Sequence, residues 1–126
     1  MGSRSFVGRL FRLLVPLVLA ATLLTASAQT ASAAVVVRGT RASGNYVWRP
    51  KITRISRGTV VKWRAVIGSH TVKAYGGNWS FFRRLPNGTT VRRAFRHRGT
   101  FKFYCTIHGF LSGGVCSGMC GKIVVG

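Results

Sequence analysis

From Thr59 to Val66 the side chains alternate between two characters: Val61, Trp63 and Ala65 fall on one face, Lys62 and Arg64 on the other. A hydrophobic period of two belongs to a half-buried strand. Short runs of the same kind recur along the chain, each closed by turn residues. Ala34 to Arg38 is β-branched, and Gly39 to Asn45 is turn-rich. Tyr46-Val47-Trp48 leads to Pro50 and the segment Lys51 to Ser56, and Arg57-Gly58 turns the chain into the alternating run. His70 to Tyr75, Val91 to Arg96, Thr100 to Cys105 and Lys122 to Val125 complete the set. Gly76-Gly77-Asn78 and Pro86-Asn87-Gly88 are the strongest turns between them. No amphipathic helix stands out. About seven short strands at this spacing predict an all-β sandwich or barrel, with Trp63, Phe95, Phe101 and Phe103 in its core.

The N-terminal stretch has a different character. Arg4, Arg9 and Arg12 precede an apolar run from Leu13 to Leu24, and small residues ending Ala31-Ser32-Ala33 follow. That order predicts a signal peptide over residues 1–33, cut at an Ala-x-Ala site, with a run too short for a comfortable membrane span. Ala26-Ser27-Ala28 offers an earlier cut of the same form. The expectation is a secreted, extracytoplasmic protein whose single small domain occupies residues 34–126.

No Asp or Glu occurs anywhere, whereas Lys and Arg number 20. Three of those cations lie before residue 34, which leaves +17 on the mature domain. The absence of carboxylates excludes carboxylate acid–base catalysis, calcium or magnesium cages and internal carboxylate salt bridges. The positive field draws anionic partners: an acidic redox protein, an anionic cell-envelope polymer or a membrane surface. The basic runs are short, and no nucleic-acid motif accompanies them, so no specific nucleic-acid partner is expected.

One constellation carries chemistry. Cys105-Thr-Ile-His108 precedes Met119, and His70 stands well upstream. A thiolate, two imidazoles and a thioether form a soft donor set that suits copper, with the composition of a blue-copper electron-transfer site. Strand parity turns Phe101, Phe103 and Cys105 to one side and Lys102 and Tyr104 to the other. Cys105 then emerges at the core-facing end of its strand. Thr106 to Gly118 is expected as a loop that folds Met119 back toward it, with His70 supplying a fourth group from across the sandwich. Taken singly, each residue has an ordinary reading: His70 a buried or edge histidine, Met119 core filler, Cys105 an inert thiol or half of a bridge. His97, between Arg96 and Arg98, is expected to be solvated. Asn78-Trp-Ser80 and Asn87-Gly-Thr89 match glycosylation sequons, which are weak motifs.

On these residues the chain resembles the cupredoxin family, in particular small secreted plastocyanin- or azurin-like proteins. The likeness runs through Trp48-x-Pro50, Gly58 to Trp63, His70-Thr-Val72, Phe95 to Gly99, Thr100 to Cys105 and Gly118 to Val125. It implies a Greek-key β-sandwich and one copper ion cycling between Cu(I) and Cu(II). His70 and His108 would bind it through ring nitrogens, Cys105 through its thiolate and Met119 as a weak axial ligand. It also implies a monomeric electron carrier rather than an enzyme, because protein groups fill every metal position. His108 would serve as the electron's exit, with Gly109, Phe110 and Leu111 as apolar patch.

Three features depart from the family pattern. Thr71 stands where many relatives carry Asn, the stretch from His108 to Met119 is longer than in the plant-type proteins, and Cys116 and Cys120 flank Met119. With Cys105 reserved as ligand, Cys116 and Cys120 are expected to pair and to fix the Met-bearing turn. They could instead be extra Cu(I) ligands, or Cys105 itself could be bridged in a metal-free protein. Two further functions therefore stand beside the carrier: extracytoplasmic copper storage or delivery, and a cationic β-domain that binds envelope polyanions.

Overall fold

The computed structural model describes residues 33–126 together with Gly2, Ala26 and Ser27. The expected signal peptide lies almost wholly outside the described residues. Among the described residues nine strands form: β1 (Val35–Ala42), β2 (Asn45–Arg49), β3 (Ile52–Ile55), β4 (Thr59–Ala65), β5 (His70–Tyr75), β6 (Phe82–Leu85), β7 (Thr90–Phe95), β8 (Gly99–Ser112) and β9 (Val115–Val125). They make two sheets, one in the order β2-β1-β4-β7 and the other β3-β9-β8-β5-β6. The pairs β1–β4 and β3–β9 are parallel and the remainder antiparallel. This is the expected all-β Greek-key sandwich.

Alternation decides which residues fill the space between the sheets. Val61, Trp63 and Ala65 of β4 are fully buried, as are Val37 of β1 and Phe103 and Cys105 of β8. Trp63 occupies the middle, edge-on to Phe103 at 5.3 Å between ring centroids and tilted against Phe81 at 5.6 Å. Such contacts add about 0.5–1.5 kcal/mol each beyond the area they bury. All four aromatic residues expected in the core are there.

Two expectations are corrected. The segment after Cys105 is not a loop: β8 runs on to Ser112 and returns in β9 from Val115, so the Gly113-Gly114 turn closes a long hairpin. Its Gly and Ser residues suggested a loop, yet glycine is tolerated wherever a neighbouring strand supplies hydrogen bonds and close approach. In addition, β5 lies beside β8 in the same sheet, so His70 does not reach Cys105 from across the sandwich.

Candidate metal centre

The ladder between β8 and β9 breaks at one place. Tyr104 pairs with Cys120 and the next pair is Gly109 with Gly118, so Cys105 to His108 lie opposite Met119 alone. This large bulge lifts three extra residues out of the sheet and re-aims their side chains. Glycines permit it. A Cβ on Gly109 would lie 2.7 Å from the Cys105 carbonyl oxygen, and Gly118, at φ +78°, would place one 2.6 Å from that of His108.

The bulge brings three donor atoms face to face. His70 Nδ1 and His108 Nδ1 are 3.2 Å apart, and Cys105 Sγ lies 3.7 Å from the second and 4.0 Å from the first. A point equidistant from all three is about 2.1 Å from each, within the roughly 2.0–2.3 Å of first-row metal bonds to imidazole and thiolate. A trigonal His₂Cys set with a weak axial thioether is the arrangement associated with type-1 copper. Met119 is fully buried on the inward face of β9, in line with Gly121 and Ile123, and is the one residue opposite the bulge. The donor set therefore fits a single type-1 copper site.

The surroundings prepare each donor. His70 Nε2–H donates to the Ile67 carbonyl at 2.9 Å, which leaves the Nδ1 lone pair directed at the cluster. The His70 ring lies so close to β1 that a Cβ on Gly39 would meet it at 2.6 Å. Cys105 is a free, fully buried thiol whose sulfur accepts the Thr71 N–H at 3.5 Å. The Thr71 hydroxyl stands 4.0 Å from the same sulfur and holds Thr106 more closely: it accepts the Thr106 N–H at 2.7 Å and lies 2.8 Å from the Thr106 hydroxyl, pinning the bulge to β5. Burial pushes the pKa of His70 below its ordinary value. The Ile67 carbonyl partly offsets that shift, and the neighbouring His108 adds to it. Burial lowers His108 as well. Both shifts favour the neutral imidazole, the form that ligates metal.

Tyr46, from β2, covers His108 with ring centroids 4.1 Å apart and also meets the edge of His70 at 5.4 Å. Sequence reasoning gave no role to Tyr46, Gly39 or Thr106, because nothing in their spacing marks a partner on another strand. Cys116 and Cys120 form a disulfide across the Met-bearing segment, which removes the alternatives in which they are free or Cys105 is bridged. His97 is exposed, as expected. Around the site Ile107 and Phe110 are largely exposed, and Leu111 is half-buried.

No protein-family model matches the sequence, and no curated protein matches it. Solved structures do. An oxidized amicyanin mutant is similar at 20% identity and TM-score 0.58, with 74% of this chain and 82% of that chain covered. A purple cupredoxin from Nitrosopumilus maritimus matches at 20% identity and TM-score 0.54, over 73% of this chain and 99% of that one. The Cu-containing nitrite reductase of Thermus scotoductus matches at 24% identity and TM-score 0.58, over 74% of this chain and 22% of that one. The two-sheet topology and these likenesses together establish that this chain has the cupredoxin fold.

Proposed function

We propose that this protein is an extracytoplasmic type-1 copper protein that carries single electrons, with His70, Cys105 and His108 as strong ligands and Met119 as the weak axial one. The observation that carries the reading is the triangle of His70 Nδ1, His108 Nδ1 and Cys105 Sγ. Copper bound there would take up and release one electron. The chain's own residues supply a frame that resists rearrangement. Ile67 fixes the His70 ring, Thr71 donates to the thiolate sulfur and clamps the bulge, and Tyr46 caps His108. Met119 would fill the fourth position of a bound copper and leave no site open to a substrate, which favours a carrier over an oxidase. The redox partner would meet the end of the sandwich where Ile107 and Phe82 are exposed beside Arg84, a surface suited to an acidic protein with an apolar centre.

The test is the optical spectrum of the copper-reconstituted protein. An intense visible thiolate-to-copper band is expected, abolished in Cys105→Ser and accompanied by one copper per chain. A colourless copper-loaded protein, or more than one Cu(I) per chain, would overturn the proposal. The Cys116–Cys120 disulfide counts against copper storage, since it withholds two of the three thiolates such a role would use.

A further inference from the structure

The solvent face of the β2-β1-β4-β7 sheet carries a feature the copper site does not use. Directly opposed residues across its strands are cations. Arg49 of β2 faces Arg38 of β1, Arg38 faces Arg64 of β4, and one step along, Lys62 of β4 faces Arg92 of β7. By alternation with the buried Val37, Trp48, Val61, Trp63 and Phe95, all five point outward. Lys62, Arg64 and Arg92 line a shallow concavity of about 270 Å³ with Val36 and Thr90. Like charges directly opposite one another destabilise a sheet, and no side-chain carboxylate exists anywhere in the chain to neutralise them. Strand neighbours sit roughly 4.8 Å apart, so the repulsion is built into the fold and is relieved only from outside.

We infer that this face is a docking surface for a linear phosphodiester polymer. Four of the five cations are arginine, whose planar fork matches phosphate oxygens in a bidentate way that lysine does not. The row Arg49–Arg38–Arg64 and the pair Lys62–Arg92 form an extended track rather than a single anion pocket, which suits an anion repeated along a chain. No aromatic side chain occupies an outward position on this sheet, so the face lacks the aromatic platform on which single-strand binders stack bases. That favours a backbone of phosphates over a polymer read through its bases. The copper-ligating residues lie on β5, β8 and β9 of the other sheet. A tethered protein would keep its metal centre free, and the docking surface stands or falls independently of copper.

Isothermal titration with poly(glycerol phosphate), run at several salt concentrations and paired with amide chemical-shift mapping, tests this. Saturable binding is expected, with shifts centred on Arg38, Arg64 and Arg92. The log–log salt slope should be about −3.5 if each of five contacts contributes roughly 0.7, as on flexible single strands. Removing two central charges in R38Q/R64Q should weaken binding about tenfold or more and flatten the slope. K102Q/K122Q removes an equally opposed pair from the other sheet and should change affinity less than threefold. R49Q/R92Q is the second variant if R38Q/R64Q does not fold. Equal loss in both charge-matched variants, or shifts centred off this face, would reduce the effect to net charge and overturn the inference. Tighter binding, per phosphate, to oligothymidylate or to phosphatidylglycerol vesicles would overturn it in favour of nucleic acid or membrane.

Discussion

Tyr46 lies over the imidazole of His108 with ring centroids 4.1 Å apart and planes inclined by 35°. The Arg41 guanidinium stands over the same tyrosine at 5.0 Å, and a Cβ at Gly68 would press on the ring at 2.8 Å. The tyrosine is therefore held in place from two sides, and His108 is half-buried rather than open to solvent. An aromatic pair of this kind is worth about 0.5–1.5 kcal/mol. In copper-loaded protein, Tyr46→Ala should accelerate metal loss to an excess of chelator several-fold, whereas Tyr46→Phe should leave the rate near that of the parent. Following the decay of the visible band measures both. Equal rates for all three proteins would show that the stacking does not restrain His108.

Thr71 makes two separable contributions. Its backbone N–H reaches the Cys105 sulfur at 3.5 Å, and its hydroxyl, 4.0 Å from that sulfur, chiefly holds the Thr106 N–H at 2.7 Å. Thr71→Val keeps the first and deletes the second, leaving a part-buried donor unpaired at a cost of about 1–3 kcal/mol. The variant should melt at lower temperature yet retain its charge-transfer band, and Thr71→Ser should recover most of the stability. Loss of the band in Thr71→Val with an unchanged melting temperature would reverse the assignment.

These second contacts show where sequence reading reaches its limit. Period-two patterning located β4, the inward set Phe101-Phe103-Cys105 and the aromatic core, because alternation within one strand is local information. The donor residues stood out through their chemistry and order. The bulge did not, since its cause is a mismatch between β8 and β9, four residues against Met119, that only pairing reveals. Gly39 and Tyr46 act on His70 and His108 across strand boundaries, and a lone glycine or tyrosine carries no mark of what it will touch. The extended hairpin was hidden for the opposite reason: Gly113 and Gly114 signal a turn, but neighbouring Gly109, Ser117 and Gly118 suggested that the whole segment was loop.

The Cys116–Cys120 bridge closes a short ring that contains Met119. Chain entropy alone gives about 2 kcal/mol for so small a loop. Cys116→Ser/Cys120→Ser should therefore lower unfolding stability by about that amount. The same variant loosens the strand that carries the axial residue, so its visible spectrum and reduction potential should both shift. Mass determination with and without reductant checks the premise: the parent gains two hydrogen atoms per chain and the variant none. An unchanged potential would confine the bridge to stability.

The metal-free protein should lose stability as the solution turns acid, and the two site histidines set the range. In the unfolded chain an imidazole takes a proton near its ordinary value of 6.5, whereas burial lowers His70 and His108 below it in the folded state. Above about pH 6.5 both states are neutral, and these groups add no pH dependence. Below it the unfolded chain binds more protons, so stability falls with pH until the lowered folded-state values are reached. In most proteins carboxylate protonation overlaps the lower part of this range, but here no Asp or Glu is present to do so. Urea midpoints of the metal-free protein should be flat from pH 8 to about 6.5 and then decline. The decline should be largely absent in His70→Gln/His108→Gln, which has no imidazole at either position to take the proton. A midpoint that rose on acidification would require the folded site to welcome protons, which is incompatible with two imidazoles whose Nδ1 atoms stand 3.2 Å apart.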